Sequence, residues 1–308
     1  MPTIAIDWMT HPPADYTAGA ITVGNFDGVH RGHRELLTAC IAEAAAVGGP
    51  AVVVTFDPPP LAVLVPAAMK PPLTTVAERN ELLLAAGVTK VVSLKTDAGL
   101  LSLEPEAFFE DVVLGLFRAR AIVEGFNFRF GRARIGDTAE LRRLCEKHCV
   151  QFREVHPLLD AGEPVSSSRI RGAVQAGEVE TAAKLLGRVY SISGTVETGA
   201  KRGRTIGFPT ANLGGVKTLV PGTGVYAVRA TVGGVTYPAA ANVGPNPTFG
   251  EDARKIEVHL LDFAGDLYGR ELRVQLVKRL RDTRPFAGVQ ELTEQLKRDV
   301  AEARAAFG

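Results

Sequence analysis

Apolar runs alternate with helical patterns along the first half of the chain, and that alternation leaves few folds open. "AITVG" (20–24), "AVVVTF" (51–56), "VTKVVSL" (88–94), "RAIVEG" (120–125) and "VQFREVH" (150–156) read as strands. Between them, residues 33–48, 75–87, 104–117 and 137–149 carry helical spacing. Thr75 and Glu78 stand at capping-box spacing, Pro105 falls in a first turn, and Gly48 and Gly87 close their helices. Strands separated by helices in this way form βαβ units, so the expectation is a doubly wound parallel α/β sheet covered on both faces.

The pattern changes near residue 187. Residues 166–187 read as two short helices. Beyond them, "VYSISGTVETG", "GVYAVRATVGGVTYPAAANVG" and "KIEVHLLDF" alternate in strand fashion, and Gly233-Gly234 reads as a hairpin turn. The expectation is a small antiparallel β-barrel, covered by a terminal helix over 288–307. A chain of 308 residues is long enough for two cores, here 1–186 and 187–308. The two stretches differ in charge, −4 against +5, while the whole chain carries only +1. No chain-wide field therefore points to nucleic acid or anionic lipid, and neither partner is expected.

Three cysteines argue against a disulfide framework and fit a reducing cytosol. The cluster "CEKHC" (145–149) lacks the second ligand pair of a structural zinc site, so its cysteines are expected to form a buried stripe. No basic-then-apolar leader and no long uninterrupted apolar stretch is evident, which points to a cytoplasmic protein without a membrane span. Oligomeric state is open, a homo-oligomer included.

Two segments carry chemistry. "VGNFDGVHRGHREL" (23–36) lies where a strand gives way to a helix, the place where open α/β sheets bind ligands. Helix-start amides and the dipole favour anions, glycines admit a bulky polyphosphate, and His30 and His33 can donate to it, more strongly if protonated. The stretch suits a nucleoside triphosphate and the charge that develops as pyrophosphate leaves. "SSSRIR" (166–171) offers hydroxyls, helix-start amides and two arginines. Ordinary loop histidines and a plain helix cap with solvated arginines are the alternatives.

The second segment is "TGAKRGRTIGFPTANL" (198–213), followed by "IEVHLLDF" (256–263). Thr210 and Asn212 present oxygen atoms on one face if extended, and Glu257 and His259 share the polar face of a strand. Oxygen donors suit Mg²⁺. A solvated glutamate, a simple turn and a solvated basic loop remain open as alternatives.

"GNFDGVHRGH", "TFDP" (55–58), "GFNFRFG" (125–131) and "SSSRIR" resemble the adenylyltransferase module of bacterial bifunctional riboflavin kinase/FAD synthetases, within the His-x-Gly-His nucleotidyltransferases. "RGRTIGFPTANL", "GVYAVRA", "ANVGPNPTF", "EVHLLDF" and "DLYGRELRV" resemble the riboflavin kinase module in order and spacing. The resemblance covers nearly the whole chain. It implies that ATP and riboflavin give FMN, and that FMN and a second ATP give FAD and pyrophosphate, both steps with Mg²⁺.

By the same resemblance, His30 and His33 hold the ATP phosphates. Gly24, Phe26, Asp27 and Gly28 belong with them to the ATP-binding segment, Asp27 and Gly28 shaping its turn, Asn127 helps place the nucleotide, and Ser167, Ser168 and Arg169 grip phosphates. In the kinase, Thr210 and Asn212 bind the metal and Glu257 is the base. Gly199, Lys201 and Gly203 belong to the loop over ATP, and Arg279 lies where a loop near the flavin is expected. Phe56, Phe126 and Phe128 are candidates to flank a ring.

Two positions depart from the family pattern: Pro59 stands for a histidine in "TFDPPP", and Glu124 stands for an aliphatic residue in "IVEGF". Two other functions compete. One is a nucleotidyltransferase acting on another acceptor, such as a nicotinamide or pantetheine nucleotide. The other is a flavin- or RNA-binding regulator without turnover, against which the 6% aromatic content counts.

Overall fold

The computed structural model describes residues 1–198, 203, 206–246 and 251–307. The chain divides into two compact units, Met1–Lys70 with Thr74–Ser166, and Pro71–Leu73 with Ser167–Gly308.

In the first unit six parallel strands run in the order β1-β4-β3-β2-β5-β6. They are β1 (Thr3–Asp7), β2 (Ala20–Val23), β3 (Ala51–Asp57), β4 (Lys90–Lys95), β5 (Ala121–Gly125) and β6 (Gln151–Val155). A small ribbon pairs β7 (Leu159–Asp160) with β8 (Glu163–Pro164). The helices are α1 (Arg31–Val47), α2 (Pro60–Leu64), α3 (Val76–Ala85), α4 (Ala98–Ser102), α5 (Pro105–Phe108) and α6 (Thr138–Lys147).

Alternate strand residues feed two cores. Ile21, Val23, Val52, Val54 and Ile122 pack with Phe109, Val112 and Leu141 on one face. Ala20, Val53, Val91 and Val123 pack with Leu37 and Cys40 of α1 on the other. Burial on both faces is why these strands read as continuous apolar runs.

Some local features differ from expectation. The edge strand β1 pairs along one side with β4, and its residues are at most partly buried, so its sequence lacks a strong apolar run. The helix expected over 104–117 starts as α5 and continues as a π-helix over Phe109–Leu116. That wider turn buries Phe109, Val112, Val113 and Leu116. Cys145 is buried, but Cys149 lies beyond α6 at φ +57° and is exposed, so the expected cysteine stripe holds for one residue only. Burial pushes the Cys40 and Cys145 thiols up to about 12, which leaves them inert. Among the described residues no His, Cys, Asp and Glu cluster could hold a metal ion.

The second unit opens with α7 (Ser167–Ala176) and α8 (Val179–Leu186). Six antiparallel strands then close a barrel in the order β10-β13-β12-β11-β14-β9. These are β9 (Tyr190–Glu197), β10 (Ala211–Gly214), β11 (Gly224–Val232), β12 (Val235–Asn246), β13 (Glu251–Leu260) and β14 (Glu271–Arg281). Val232 faces Val235 across Gly233 and Gly234, whose φ of +57° and +81° suit a two-residue turn between twisted strands.

The terminal helix α9 (Val289–Ala305) packs against β11, β12 and β14. Its Asp299 is 2% exposed and accepts from Arg281 Nε at 2.8 Å, from an Arg281 terminal nitrogen at 2.6 Å and from Gln295 at 2.9 Å. Asp299→Ala strands the arginine beneath the helix. The expected loss is about 3 kcal/mol, the low end for a broken buried pair because Arg281 keeps partial exposure. Urea unfolding of the full chain, read by a probe in the barrel, measures it.

Candidate functional site

In the first unit the chain leaves β2 through a turn of unusual backbone. Phe26, Gly28 and Val29 have φ of +48°, +83° and +37°. Two of these are not glycine, and such conformations cost about 1–3 kcal/mol each unless the surroundings hold them. Several ties do so here. Phe26 and Val29 bury their side chains against α1 and β3. Asp27 accepts from the Thr74 N–H at 3.1 Å and hydroxyl at 3.3 Å, and Thr74 Oγ1 accepts from the Gly28 N–H at 3.1 Å. Arg79, 5% exposed, donates to the carbonyls of Asn25 at 3.1 Å and Phe56 at 3.4 Å, linking the ends of β2 and β3. Gly24 leaves room for the Phe26 ring, which would lie 3.3 Å from any added Cβ.

His30 caps α1, its Nδ1 accepting from the His33 N–H at 3.2 Å. A nitrogen that accepts is unprotonated, so the proton His30 offers is on Nε2. The doubly protonated ring expected as the stronger donor would break this cap. The two imidazoles stack 3.6 Å apart at 16°, and His33 also lies 5.1 Å from the Phe26 ring. Gly32 makes the stack possible, since a Cβ there would meet the His30 ring at 3.3 Å and the Val165 carbonyl at 3.2 Å.

Other expected residues fall as follows. Asn127 is exposed in the loop after β5. Phe56 and Phe128 are half-buried against the core, Phe128 stacking on Phe130 at 5.5 Å, while Phe126 is 43% exposed. Pro59 caps α2. Ser167, Ser168 and Arg169 form the first turn of α7 in the second unit. Glu124, the other departure, is 1% exposed and accepts from the Val23 N–H at 2.6 Å. Burial pushes its carboxyl well above the ordinary carboxylate range, against the opposing effect of that hydrogen bond.

On the barrel, Asn212 of β10 lies directly opposite Glu257 of β13, and Asn242 of β12 lies opposite it on the other side. Facing residues of paired strands present their side chains to the same face, about 5 Å apart. Ile256, Val258 and Leu260 point into the core while Glu257 and His259 are partly exposed, as the alternation requires. His259 Nδ1–H donates to the Pro209 carbonyl at 2.7 Å, and its ring meets Phe208 edge-on at 5.6 Å. The segment 208–212 is thereby pinned beside β13, with Thr210 exposed and Asn212 partly so. Two neutral oxygen donors beside a carboxylate match the preference of Mg²⁺, which keeps several waters.

Gly203 accepts from the Phe208 N–H at 2.8 Å, and a Cβ on it would sit 2.2 Å from the Phe208 carbonyl oxygen. Gly199 and Lys201 lie outside the described residues. A cavity of about 260 Å³ opens beside Thr210, lined by Pro209, Val258, Leu260, Phe263 and Tyr268 among others. Arg279 is engaged elsewhere: it donates to the carbonyls of Ala176 at 2.8 Å and Thr223 at 2.7 Å and to Asp282 at 2.7 Å. This cation at the end of α7 has a structural use. Sequence reading missed Thr74, Arg79 and Asn242. Only Asn242 left a signal, as the polar residue between Ala241 and Val243 in a strand pattern.

A family model described as FAD synthetase matches residues 13–169, and one described as riboflavin kinase matches residues 186–307. The bifunctional riboflavin kinase/FMN adenylyltransferase of Escherichia coli (strain K12) is 37% identical over 289 residues, covering 94% of this chain and 92% of its own. The protein of the same name from Bacillus subtilis (strain 168) is 36% identical and covered to 96%, as is this chain. A crystal structure from Streptococcus pneumoniae, named a macrolide-efflux protein, matches with a TM-score of 0.88 at 33% identity over 99% of both chains. No helix among the described residues is long and apolar enough to cross a membrane. Matches at this identity run through both modules in order and over nearly the whole length, and the chain belongs to the family of bifunctional riboflavin kinase/FMN adenylyltransferases.

Proposed function

We propose that residues 187–308 phosphorylate riboflavin with ATP, and that residues 1–186 transfer AMP from a second ATP to the resulting FMN. The observation that carries the kinase assignment is the register that sets Asn212 opposite Glu257. The flavin's ribityl 5′-hydroxyl is not ionised near neutral pH and needs a base within reach. Glu257 takes that proton as the oxygen attacks the γ-phosphorus, and FMN and ADP result. Thr210 and Asn212 supply oxygen ligands for Mg²⁺, whose chemistry when bound is to neutralise the charge on the transferring phosphoryl group. Gly199, Lys201 and Gly203 belong to the loop that covers the ATP phosphates. The cavity beside Thr210, walled in part by Val258, Leu260 and Phe263, suits a planar ring.

In the adenylyltransferase the nucleophile is a phosphate oxygen of FMN, already ionised, so no strong base is needed. It attacks the α-phosphorus of ATP and pyrophosphate departs. The stacked His30 and His33 and the amides that open α1 stabilise the charge on the leaving group. Asp27 and Gly28 hold the turn, and Asn127 contributes a further polar contact to the nucleotide. Phe56 and Phe128 are retained as flavin neighbours, whereas Arg279 is assigned to structure. Nothing in the chain favours a nicotinamide or pantetheine nucleotide as acceptor. A cytoplasmic location fits soluble substrates and unpaired cysteines.

Product analysis tests the whole reading. Purified protein with riboflavin, ATP and Mg²⁺ should release FMN and ADP, then FAD and pyrophosphate. Chelation with EDTA should stop both steps and excess Mg²⁺ should restore them. Failure to form either flavin nucleotide would refute the assignment.

A further inference from the structure

The parallel sheet opens at one place. The last rung between β2 and β5 joins Ile21 to Ile122. Beyond it each strand stays with its outer neighbour: Val23 pairs with Val54 of β3, and Val123, Glu124 and Gly125 pair with Arg153, Glu154 and Val155 of β6. The chain runs from β2 toward β3 on one side and from β5 toward β6 on the other, so this gap is the topological switch point, where open α/β sheets bind ligands. The Gly24 N–H points to β3, donating to the Val54 carbonyl at 3.0 Å. The Val23 N–H points the other way, into the gap, and there it meets Glu124 Oε1 at 2.6 Å. An aliphatic residue at 124 would offer that N–H no acceptor.

We infer that Glu124 is a positioning residue of the adenylyltransferase site: its carboxyl replaces the missing backbone rung where β2 and β5 part, and so fixes the strand end that carries the His30–His33 turn. The inference rests on the adenylyltransferase reading and adds a residue to it. Glu124 touches neither nucleotide nor flavin in this role and acts through Val23 and the turn that begins one residue later.

The surroundings agree with a neutral acid. Glu124 lies between apolar strands, with the buried Cys40 thiol on α1 nearby and Glu154 beside it in register on β6. Glu154 is itself paired with Arg142 of α6 at 3.4 Å. A neutral carboxyl can accept from Val23 without placing a negative charge under a site built for phosphate. Glutamine reproduces that geometry and cannot ionise. Leucine fills the space and leaves the N–H unsatisfied.

FAD formation from supplied FMN is measured for the unsubstituted protein, Glu124→Gln and Glu124→Leu, with FMN formation from riboflavin in the same preparations as the internal reference. Glu124→Gln should stay within about twofold. Glu124→Leu should lose about tenfold in kcat, the scale of one buried donor left unpaired. KM for ATP should move less than kcat, and FMN formation should not change. If Glu124→Leu does not fold, Glu124→Met, which fills the gap with a flexible chain, is read by the same criteria. Full kcat in the apolar variant, or a glutamine variant as slow as the apolar one, would overturn the inference. No FAD from the unsubstituted protein would overturn the adenylyltransferase reading beneath it.

Discussion

Glu257→Gln is expected to lower riboflavin phosphorylation by about 10²–10⁴-fold, the usual contribution of a positioned general base. The substitution keeps the shape and the hydrogen-bonding oxygen but removes the basicity. The barrel should be indifferent to it, because Glu257 is partly exposed on the outer face while Ile256 and Val258 fill the interior. The loss should therefore appear in kcat, with KM for riboflavin and ATP little changed. FAD formation from supplied FMN should be unaffected. Steady-state rates of both steps on one preparation decide the matter, and a variant within about threefold of the parent in FMN formation would remove Glu257 from the role of base.

His33→Ala should do the reverse. Removing a donor aimed at developing charge costs about 10²–10³-fold in rate. His33 is the better target of the pair, because the bond that caps α1 uses its backbone N–H, which alanine retains, so that what is lost is the ring contacts to His30 and Phe26. His30 supplies the cap itself, and its loss adds about 1 kcal/mol of helix destabilisation to any catalytic effect. The alanine variant should lose little stability, because the α1 cap is kept and the ring contacts go, and should keep its kinase rate while FAD formation from FMN collapses. Unchanged FAD formation would mean that the stacked imidazoles serve the turn rather than the phosphates.

Much of the architecture was legible because local chemistry and tertiary role coincide. The capping box of Thr75 and Glu78 forms as its spacing implies, Gly48 closes α1 at φ +68°, and Gly233-Gly234 turns the hairpin. The strand alternation also placed Glu257 and His259 on the polar face. What stayed hidden depends on partners far along the chain. Thr74 reaches Asp27 across 47 positions, Arg79 reaches Asn25 across 54, and Arg279 reaches Ala176 across 103. No local period announces such bonds. The neighbours of Glu257, Asn212 and Asn242, follow from barrel closure, which fixes register among strands whose order the sequence does not state. Glu124 was visible only as an oddity in an apolar strand, because its acceptor role exists only once β2 and β5 lie side by side and part.

Mixing the two variants probes the separateness of the two reactions most directly. Glu257→Gln alone and His33→Ala alone, each given riboflavin, ATP and Mg²⁺, should form almost no FAD: the first lacks FMN, the second accumulates it. Combined in one tube they should form FAD readily, as FMN released by the His33→Ala protein is adenylylated by the Glu257→Gln protein. A mixture that stays inactive, or either variant alone making FAD from riboflavin at the parent rate, would contradict two independent sites acting in sequence.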